Sequence, residues 1–585
     1  MKSDAKMITK LFFRLLPVQI LLVAVGSINS LIDGAMAARY IGPLAMAVIG
    51  LYAPAVKIIE TVNGVLLGGS QILCGQFLGK NQIERTRNVF SLDMGLLLAV
   101  SGLFTAAGLA VPQAVAGLLG ANADTLKGLT DYVHGMAYGL IPQFLTAQLT
   151  VFLQIEQQQR RTYIGVGVMA AVNIGLDYLL VKVLRMGMLG LGLATSASYW
   201  AAFLVLGTYY LTGKAAITFR LRGIRRSDLW PILKIGFPGA VVTLCLAIRG
   251  VALNAILLRY AGNDGVGALS ALNTCGGLLY AITAGLASAT RLLVSIYIGE
   301  EDRASLQLVM RTALTKGIAL VCGLAAAVVL LARPVTGIFF SDPASNVYGL
   351  TLWLFRIYPL CMPLSAFCVI FINYFQSSSR MKIVHVLSVM DGVADLIVFS
   401  LVLAPLFGGI GVWIAHVLNG VCTTVAVAVH AARVNRRPPR TLEDLLAVPD
   451  DFGVPEDRRL DITIHNAAEV TETSQLVIRF CRDAGIDEKR AVYAGLCLEE
   501  MAANIVKHGF SDGRSHTVDV RVVSKADGLL LRIKDDCRAF NPKEKLELID
   551  PQDVTHNIGL RMAQRLARDI SYSNILGLNV LTMTL

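Results

Sequence analysis

Twelve long apolar runs dominate the first 432 positions, near residues 13–36, 46–74, 88–112, 128–153, 161–184, 188–211, 231–257, 267–298, 309–332, 347–375, 382–404 and 409–431. A bilayer core about 30 Å thick needs about 20 apolar residues per helix. These runs reach that length and are too long and too free of charge for buried helices of a large soluble protein. They predict twelve transmembrane helices. The first run continues without an A-x-A-type boundary and reads as a retained helix, not a cleaved leader. Beyond residue 456 the pattern changes. Asp461–Ile464, Val518–Val523 and Leu529–Lys534 alternate as strands, the last two around an Asp527-Gly528 turn. Glu469–Ala484, Glu488–His508 and Asn557–Asp569 read as helices, and Asn579–Leu585 as a closing strand. The fold class is therefore an all-α membrane domain followed by an α/β domain.

Charge follows the same division. Residues 1–432 hold 30 Lys+Arg and 17 Asp+Glu, whereas residues 433–585 hold 22 and 24. The basic excess lies in the membrane part and alternates between loops. Lys2, Lys6, Lys10, Lys80, Arg85, Arg87, Arg160, Arg161, the stretch Lys214–Arg226, Arg303, Arg380, Lys382 and Arg433–Arg440 fall on one side. That bias predicts a plasma-membrane protein with both termini in the cytoplasm. It also removes nucleic acid as an expected partner, because the positive charge belongs to helix ends at a lipid bilayer. The ten cysteines are scattered without a C-x-x-C, so neither a disulfide framework nor a zinc site has its spacing. The predicted domains are an N-lobe (1–212), a linker (213–230), a C-lobe (231–432), a basic linker (433–455) and a cytoplasmic domain (456–585).

The two lobes repeat each other at an offset near 220. Arg39-Tyr40-Ile41-Gly42 aligns with Arg259-Tyr260-Ala261-Gly262, and Phe77-Leu78-Gly79 with Tyr297-Ile298-Gly299. Asn173 and Asp177 fall on Asp391 and Asp395 at offset 218, as does Gly190 on Gly408. Duplicated halves with a basic linker are the organisation of secondary transporters that rock one half against the other. An ionisable group inside a span is a functional candidate by default. Asp33 lies mid-span in the first helix and Asp177 in the fifth, with Asn173 one turn before it. In the C-lobe the repeat mate of Asp33 is Leu253, while Arg249 mirrors Asn29 and is expected to neutralise one of Asp391 and Asp395. Lys57 and Glu60 read as an internal i, i+3 pair.

The ordered residues Ser30, Asp33, Gly34, Arg39, Gly42, Pro43 and Ala47, then Gly64, Gly68, Gly69, Gly79, Lys80, Asn81, Glu84 and Arg85, carry a resemblance. So do Asn173 and Asp177 followed by Leu189–Thr195. Over residues 10–432 the chain resembles multidrug and toxic compound extrusion (MATE) transporters. The resemblance implies two six-helix lobes in a V. It also implies efflux of small organic compounds, cationic and amphipathic in kind, by antiport with H⁺ or Na⁺. On matching positions it assigns the coupling ion to Asp33, Asn173, Asp177 and Thr195. A lipid-linked saccharide is an alternative cargo.

In the last domain, Glu500 and Asn504 sit one turn apart on a helix, followed by Asp535–Pro542 after a strand and Asn557-Ile558-Gly559 opening another helix. This triplet is similar to the N, G1 and G2 boxes of GHKL ATPases, most closely the anti-sigma-factor serine kinases. That resemblance implies a two-layer sandwich binding ATP and Mg²⁺. Glu500 would be the catalytic base, Asn504 would hold Mg²⁺ and Asp535 would read the adenine amino group. Gly559 would bring the helix N-terminus to the phosphates. It also implies an anti-sigma-antagonist-like protein partner, and offers a second overall reading: a membrane-tethered serine/threonine kinase with a transporter-like sensor. The chain departs from the family at Cys537, Ala539 and Asn557, where glycine is usual. No P-loop is present; Gly75–Lys80 is one residue short of that motif.

Overall fold

Apolar length makes these helices, and glycine decides where they stop. In the computed structural model, which describes residues 2–213, 215–220, 224–449, 452–512, 516–525, 528–538 and 558–585, ten helices are individually long and apolar enough to cross a membrane. The bent pair Leu126–Ala137 and Leu140–Ile155 adds an eleventh. One of the ten is a helical stretch of 71 residues, Leu229–Gly299, interrupted at Gly262 (φ 64°, ψ −159°). Unbroken, it would run roughly 100 Å, three times the bilayer core. Its two ends instead pack on the same end of one helix, so it doubles back and supplies two crossings. Gly42 (φ 120°) makes the same break at the matching repeat position, with Pro43 opening the next helix.

The crossings are α1 (Lys2–Met36), α2 (Pro43–Gly79), α3 (Ile83–Ala110), the bent α4 (126–155), α5 (Gln159–Val183), α6 (Gly187–Leu211), α7 (229–261), α8 (263–299), α9 (Arg303–Leu330), α10 (Asn346–Ser377), α11 (Met381–Phe407) and α12 (Gly409–Asn435). The lobes meet along α2, α7 and α8 through glycines related by the repeat. A Cβ on Gly79 would lie 2.0 Å from the Ile296 carbonyl oxygen, and one on Gly299 would lie 2.2 Å from the Gln76 carbonyl oxygen. Gly79 and Gly299 are repeat mates, and so are Gln76 and Ile296, so the two contacts are related by a pseudo-twofold axis. Gly75 meets its own mate, Ser295, in the same seam. Gln76 Nε2 also donates to the Ser377 carbonyl at 2.9 Å. This end of the interlobe cleft, the one facing the C-terminal domain, is closed. Farther along α2, a Cβ on Gly50 or Gly64 would meet nothing. Replacing both Gly79 and Gly299 by Ala is therefore expected to open the seam. Disulfide trapping between cysteines placed at Gln76 and Ile296 should form readily in the parent and slowly in that variant.

Residues 433–449 of the basic linker pack against the membrane part. Thr441 and Asp444 form a capping box for a one-turn helix, Leu442–Leu446. Leu446 is buried against the membrane part, where Tyr374 and Arg380 donate to its carbonyl at 2.9 and 3.1 Å. Beyond it, β1 (Arg459–Ile464), β2 (Val518–Lys525), β3 (Gly528–Asp535), β4 (Asp569–Ile575) and β5 (Leu578–Thr584) form one antiparallel sheet in the order β1-β2-β3-β5-β4. Helices α13 (Ala468–Asp483), α14 (Glu488–Gly509) and α15 (Ile558–Leu566) cover one face, with Val520, Val522, Leu531, Ile533 and Met583 in the shared core. The expected helix over Asn557–Asp569 is too long. It ends at Leu566, and Asp569 instead starts β4, an unforeseen strand that pairs with β5 across a tight Leu576-Gly577 turn with both φ positive. Ala539, Asn557 and Asp527 lie outside the described residues.

Candidate functional sites

Asp177 begins a π-helical turn, Asp177–Val183, which ends α5. Such wide turns recur at functional sites because they disturb the regular backbone ladder. Asp177 and Asn173 are fully buried, and Asp33 of α1 and Thr195 of α6 converge on them. Thr195 Oγ1 donates to Asp33 Oδ2 at 3.3 Å. The other Asp33 oxygen, both Asp177 oxygens and both polar atoms of the Asn173 amide make no hydrogen bond of 3.5 Å or less among the described residues, although the Asp177 carboxyl and the Asn173 amide lie against Asp33. Among the described residues, no Lys or Arg nitrogen lies within 4.0 Å of either carboxylate, whereas such ion pairs are found elsewhere in the chain. All four residues named from the sequence are thus brought together. Two carboxylates, an amide oxygen and a hydroxyl form a donor set that suits a proton or a small hard cation.

The C-lobe has a different character. Arg249, Asp391 and His416 line one cavity of about 580 Å³. Arg249 does not form the expected ion pair: no carboxylate lies within 4.0 Å of it among the described residues, and Asp391 Oδ1 accepts from Asn419 at 3.1 Å instead. The cause is local geometry, since Asp391 sits in the π turn Met390–Ala394 beside α12 and is satisfied there. Asp395 does not line this cavity. Lys57 and Glu60 do pair, at 2.7 Å on the exposed side of α2. Sequence reasoning passed over two further intramembrane charges. Asp93 is fully buried in α3 and accepts from Gln148, which also reaches Ser70 at 3.0 Å. Arg291 of α8 donates to Asn373 at 2.8 Å. A charge within an apolar run was the available signal for both.

In the C-terminal domain, Glu500 and Asn504 are half-buried on α14 and have no hydrogen-bond partner among the described residues. Asp535 ends β3 on the helix-covered face, and its Oδ1 accepts from Asn579 at 2.7 Å and from the Cys537 amide at 3.0 Å. Burial pushes the Asp535 carboxyl up, and these hydrogen bonds restrain the rise. Gly559 lies in the first turn of α15, which packs on α14. Cys537, where the related motif has glycine, is accommodated by a glycine elsewhere: a Cβ on Gly509 would lie 2.6 Å from the Cys537 sulfur. Glu500 and Asn504, one turn apart on α14 and unengaged among the described residues, lie on the helix against which β3 and α15 pack, and their donor set suits a magnesium nucleotide.

The opposite sheet face rests on the closed end of the lobes. Cross-strand register aligns Asp461, Arg521, Arg532, Thr582 and Ser571 in one row and Asp519, Lys534, Val580 and Ser573 in the next. Arg521 meets Asp302 at 2.6 Å, and Arg532 and Lys534 meet Glu300 at 3.4 and 2.5 Å, all on the C-lobe. On the N-lobe, Lys10 meets Asp536 at 3.4 Å, Asn81 donates to Ser571, Gln157 donates to Asn574, and the Leu576 amide donates to the Ile155 carbonyl at 3.0 Å. One sheet therefore touches both lobes across their seam.

Known proteins match the chain in two separate parts. Residues 20–179 and 238–402 match the MatE family, and residues 465–585 match the histidine kinase-like ATPase domain. Multidrug export protein MepA of Staphylococcus saprophyticus is 24% identical over 422 residues, covering 69% of this chain and 90% of that protein. MepA of Staphylococcus aureus strain MRSA252 is 22% identical over 422 residues, with the same coverage of 69% and 90%. Among solved structures, MATE in complex with MaL6 superposes with a TM-score of 0.68 at 21% identity, covering 73% of this chain and 97% of that one. An outward-facing MATE family transporter of the MOP superfamily gives 0.67 at 20% identity, covering 72% and 94%. With two six-helix lobes, a seam between them and more than half its length matching one family, the chain belongs to the MatE family of membrane transporters and carries a histidine kinase-like ATPase domain behind its second lobe.

Proposed function

We propose that this protein exports small organic compounds across the plasma membrane in exchange for H⁺ or Na⁺, with both termini in the cytoplasm. The observation that carries this reading is the pair of intramembrane carboxylates, half-buried Asp33 and buried Asp177, left without a neighbouring cation among the described residues. Two such charges are costly in a membrane interior unless a proton or cation neutralises them. Binding that ion lets α1, α5 and α6 draw together around Asn173 and Thr195. Releasing it restores the repulsion, so ion occupancy biases how the N-lobe sits against the C-lobe. The MepA relatives are multidrug export proteins, which supports small organic compounds as cargo. The test is reconstitution: an imposed pH or Na⁺ gradient should drive accumulation of a fluorescent drug in proteoliposomes, and equilibration without accumulation would refute the reading.

The C-terminal domain would regulate this exchange through ATP, with Asp535 reading the base, Asn504 holding Mg²⁺ and the α15 N-terminus at Gly559 facing the phosphates. ATP would supply the phosphoryl group there, and Glu500 would accept a proton. That Glu500 has no hydrogen-bond partner among the described residues favours, as a second reading, phosphate transfer to a protein. Binding of a fluorescent ATP analogue to the full chain is expected to be lost in Asp535→Ala. In Asn504→Ala only the Mg²⁺-dependent part should disappear. Equal binding in all three proteins would remove the nucleotide role.

A further inference from the structure

The lobes are copies in fold and opposites in charge. At the repeat offset of 220, Asp33 of the N-lobe corresponds to Leu253, whereas Asn29 and Gln71 correspond to Arg249 and Arg291. Both arginines line the same C-lobe cavity of about 580 Å³, together with Asn273, Tyr280, Asn419 and one acidic side chain, Asp391. Neither guanidinium has a carboxylate within 4.0 Å among the described residues. Arg291 is fixed by its bond to Asn373 at 2.8 Å, and Asp391 by Asn419 at 3.1 Å. Two cations therefore face one anion in a space whose remaining wall mixes aliphatic residues such as Leu246, Leu269 and Leu272 with neutral polar ones such as Asn254, Gln376 and Ser365.

A guanidinium in a low-dielectric cavity needs a counterion, and its planar fork matches a carboxylate or phosphate better than any neutral group. We infer that this C-lobe cavity is a binding site for the anionic head of an amphiphilic cargo, a carboxylate or a phosphate, held between Arg249 and Arg291. Its volume and the apolar part of its wall, Val242, Leu246, Leu253, Leu269 and Leu272 among it, suit an alkyl or aromatic tail. The site also borders the lobe interface. A Cβ on Gly277, which lines it, would lie 2.0 Å from Ser27 Oγ of α1, and one on Gly68 of α2 would lie 3.2 Å from an Arg291 nitrogen. An anion drawn onto Arg291 therefore acts on a side chain that already touches the N-lobe. The inference rests on the exporter reading for its meaning as cargo recognition, and it replaces a cationic cargo with an anionic one. N-lobe carboxylates would then carry the coupling ion, and C-lobe arginines the substrate.

The test is equilibrium binding to the purified full chain, with dansylaminoundecanoate as probe and the saturable, displaceable fluorescence as readout. Laurate and dodecyl phosphate should both displace the probe, and dodecyltrimethylammonium should not. Arg249→Gln and Arg291→Gln should each weaken binding at least about tenfold, as expected for loss of a charge-assisted hydrogen bond. Arg249→Lys should recover part of the loss. Thermal melts of the glutamine variants within the parent's range separate this from misfolding, and the lysine variant keeps the test valid if one fails to fold. Displacement by the cation, or equal binding in the glutamine variants, would overturn the anion site. Because the assay needs no gradient, anion binding without ion-driven flux would refute the exporter while leaving the site standing.

Discussion

Asp177→Asn and Asp33→Asn are each expected to lower gradient-driven efflux about 5- to 150-fold, the range of a coupling free energy of 1–3 kcal/mol. The amide keeps the volume of the side chain, so packing around α1, α5 and α6 is preserved and only charge is removed. Stability should move the other way. Asp177 is fully buried, so whenever neither a proton nor a cation neutralises it the protein carries a desolvated charge that Asn does not. The Asp177→Asn variant should therefore melt at a higher temperature than the parent while transporting less. A carboxylate that merely pinned helices together would give the opposite pair of results: a lower melting temperature and unchanged flux. Thr195→Ala removes one hydroxyl donor and no charge, so its loss should be only a few-fold. Measuring flux under a pH gradient and a Na⁺ gradient separately, in proteoliposomes of equal protein content, identifies the ion whose effect disappears.

The architecture was readable because membrane burial imposes a length on every apolar run, and the intramembrane carboxylates were readable because charge is rare there. Asp33 and Asp177 stand out by that rule alone, as Asp93 and Arg291 also did. Position within a run says little about partners, however. Arg249 and Asp391 share a cavity without pairing, because the π turn at Met390–Ala394 aims Asp391 toward Asn419. A one-residue widening of this kind leaves no mark on hydrophobic periodicity. The same limit hid β4. Asp569–Ile575 follows a helix closely and alternates only weakly, with Ser571 and Ser573 turned toward the transporter face. The docking row was hidden most completely. Arg521, Arg532 and Lys534 become one surface only through the β2–β3 register, and Glu300-Glu301-Asp302 reads as an ordinary solvated loop until that surface meets it.

Reversing Glu300 and Asp302 to Lys is expected to detach the C-terminal domain and raise the transport rate while abolishing any response to ATP. The repeat already makes the natural control, since the corresponding N-lobe loop reads Lys80-Asn81-Gln82 and carries no acid. The C-lobe pairs are largely shielded: the Glu300 side chain is 5% exposed, Arg532 9%, and Asp302 and Lys534 12% each. Removing one partner from a buried pair costs about 3–5 kcal/mol because the other charge is left uncompensated, so the docking equilibrium should fall by at least two orders of magnitude. Burial alone would raise the Asp302 carboxyl. Arg521 first, then Lys534 and the Ser305 hydrogen bonds, outweigh burial and hold it at about 2, below the ordinary 3.8. A carboxylate depressed in this way stabilises docking above its ordinary value and loses that contribution only as pH falls through about 2, so docking should be insensitive to pH between 5 and 8. Hydrogen exchange at β2 and β3 reports release, and charge-reversed Arg521→Glu with Lys534→Glu should restore protection in the Lys variant. The closed seam at Gly79 and Gly299 lies under this sheet, so the lobes cannot part there while Arg521 and Lys534 hold one lobe and Asp536, Ser571 and Asn574 hold the other. Unchanged exchange in the reversed variant, or release without a change in flux, would mean that the sheet rests on the lobes without restraining them.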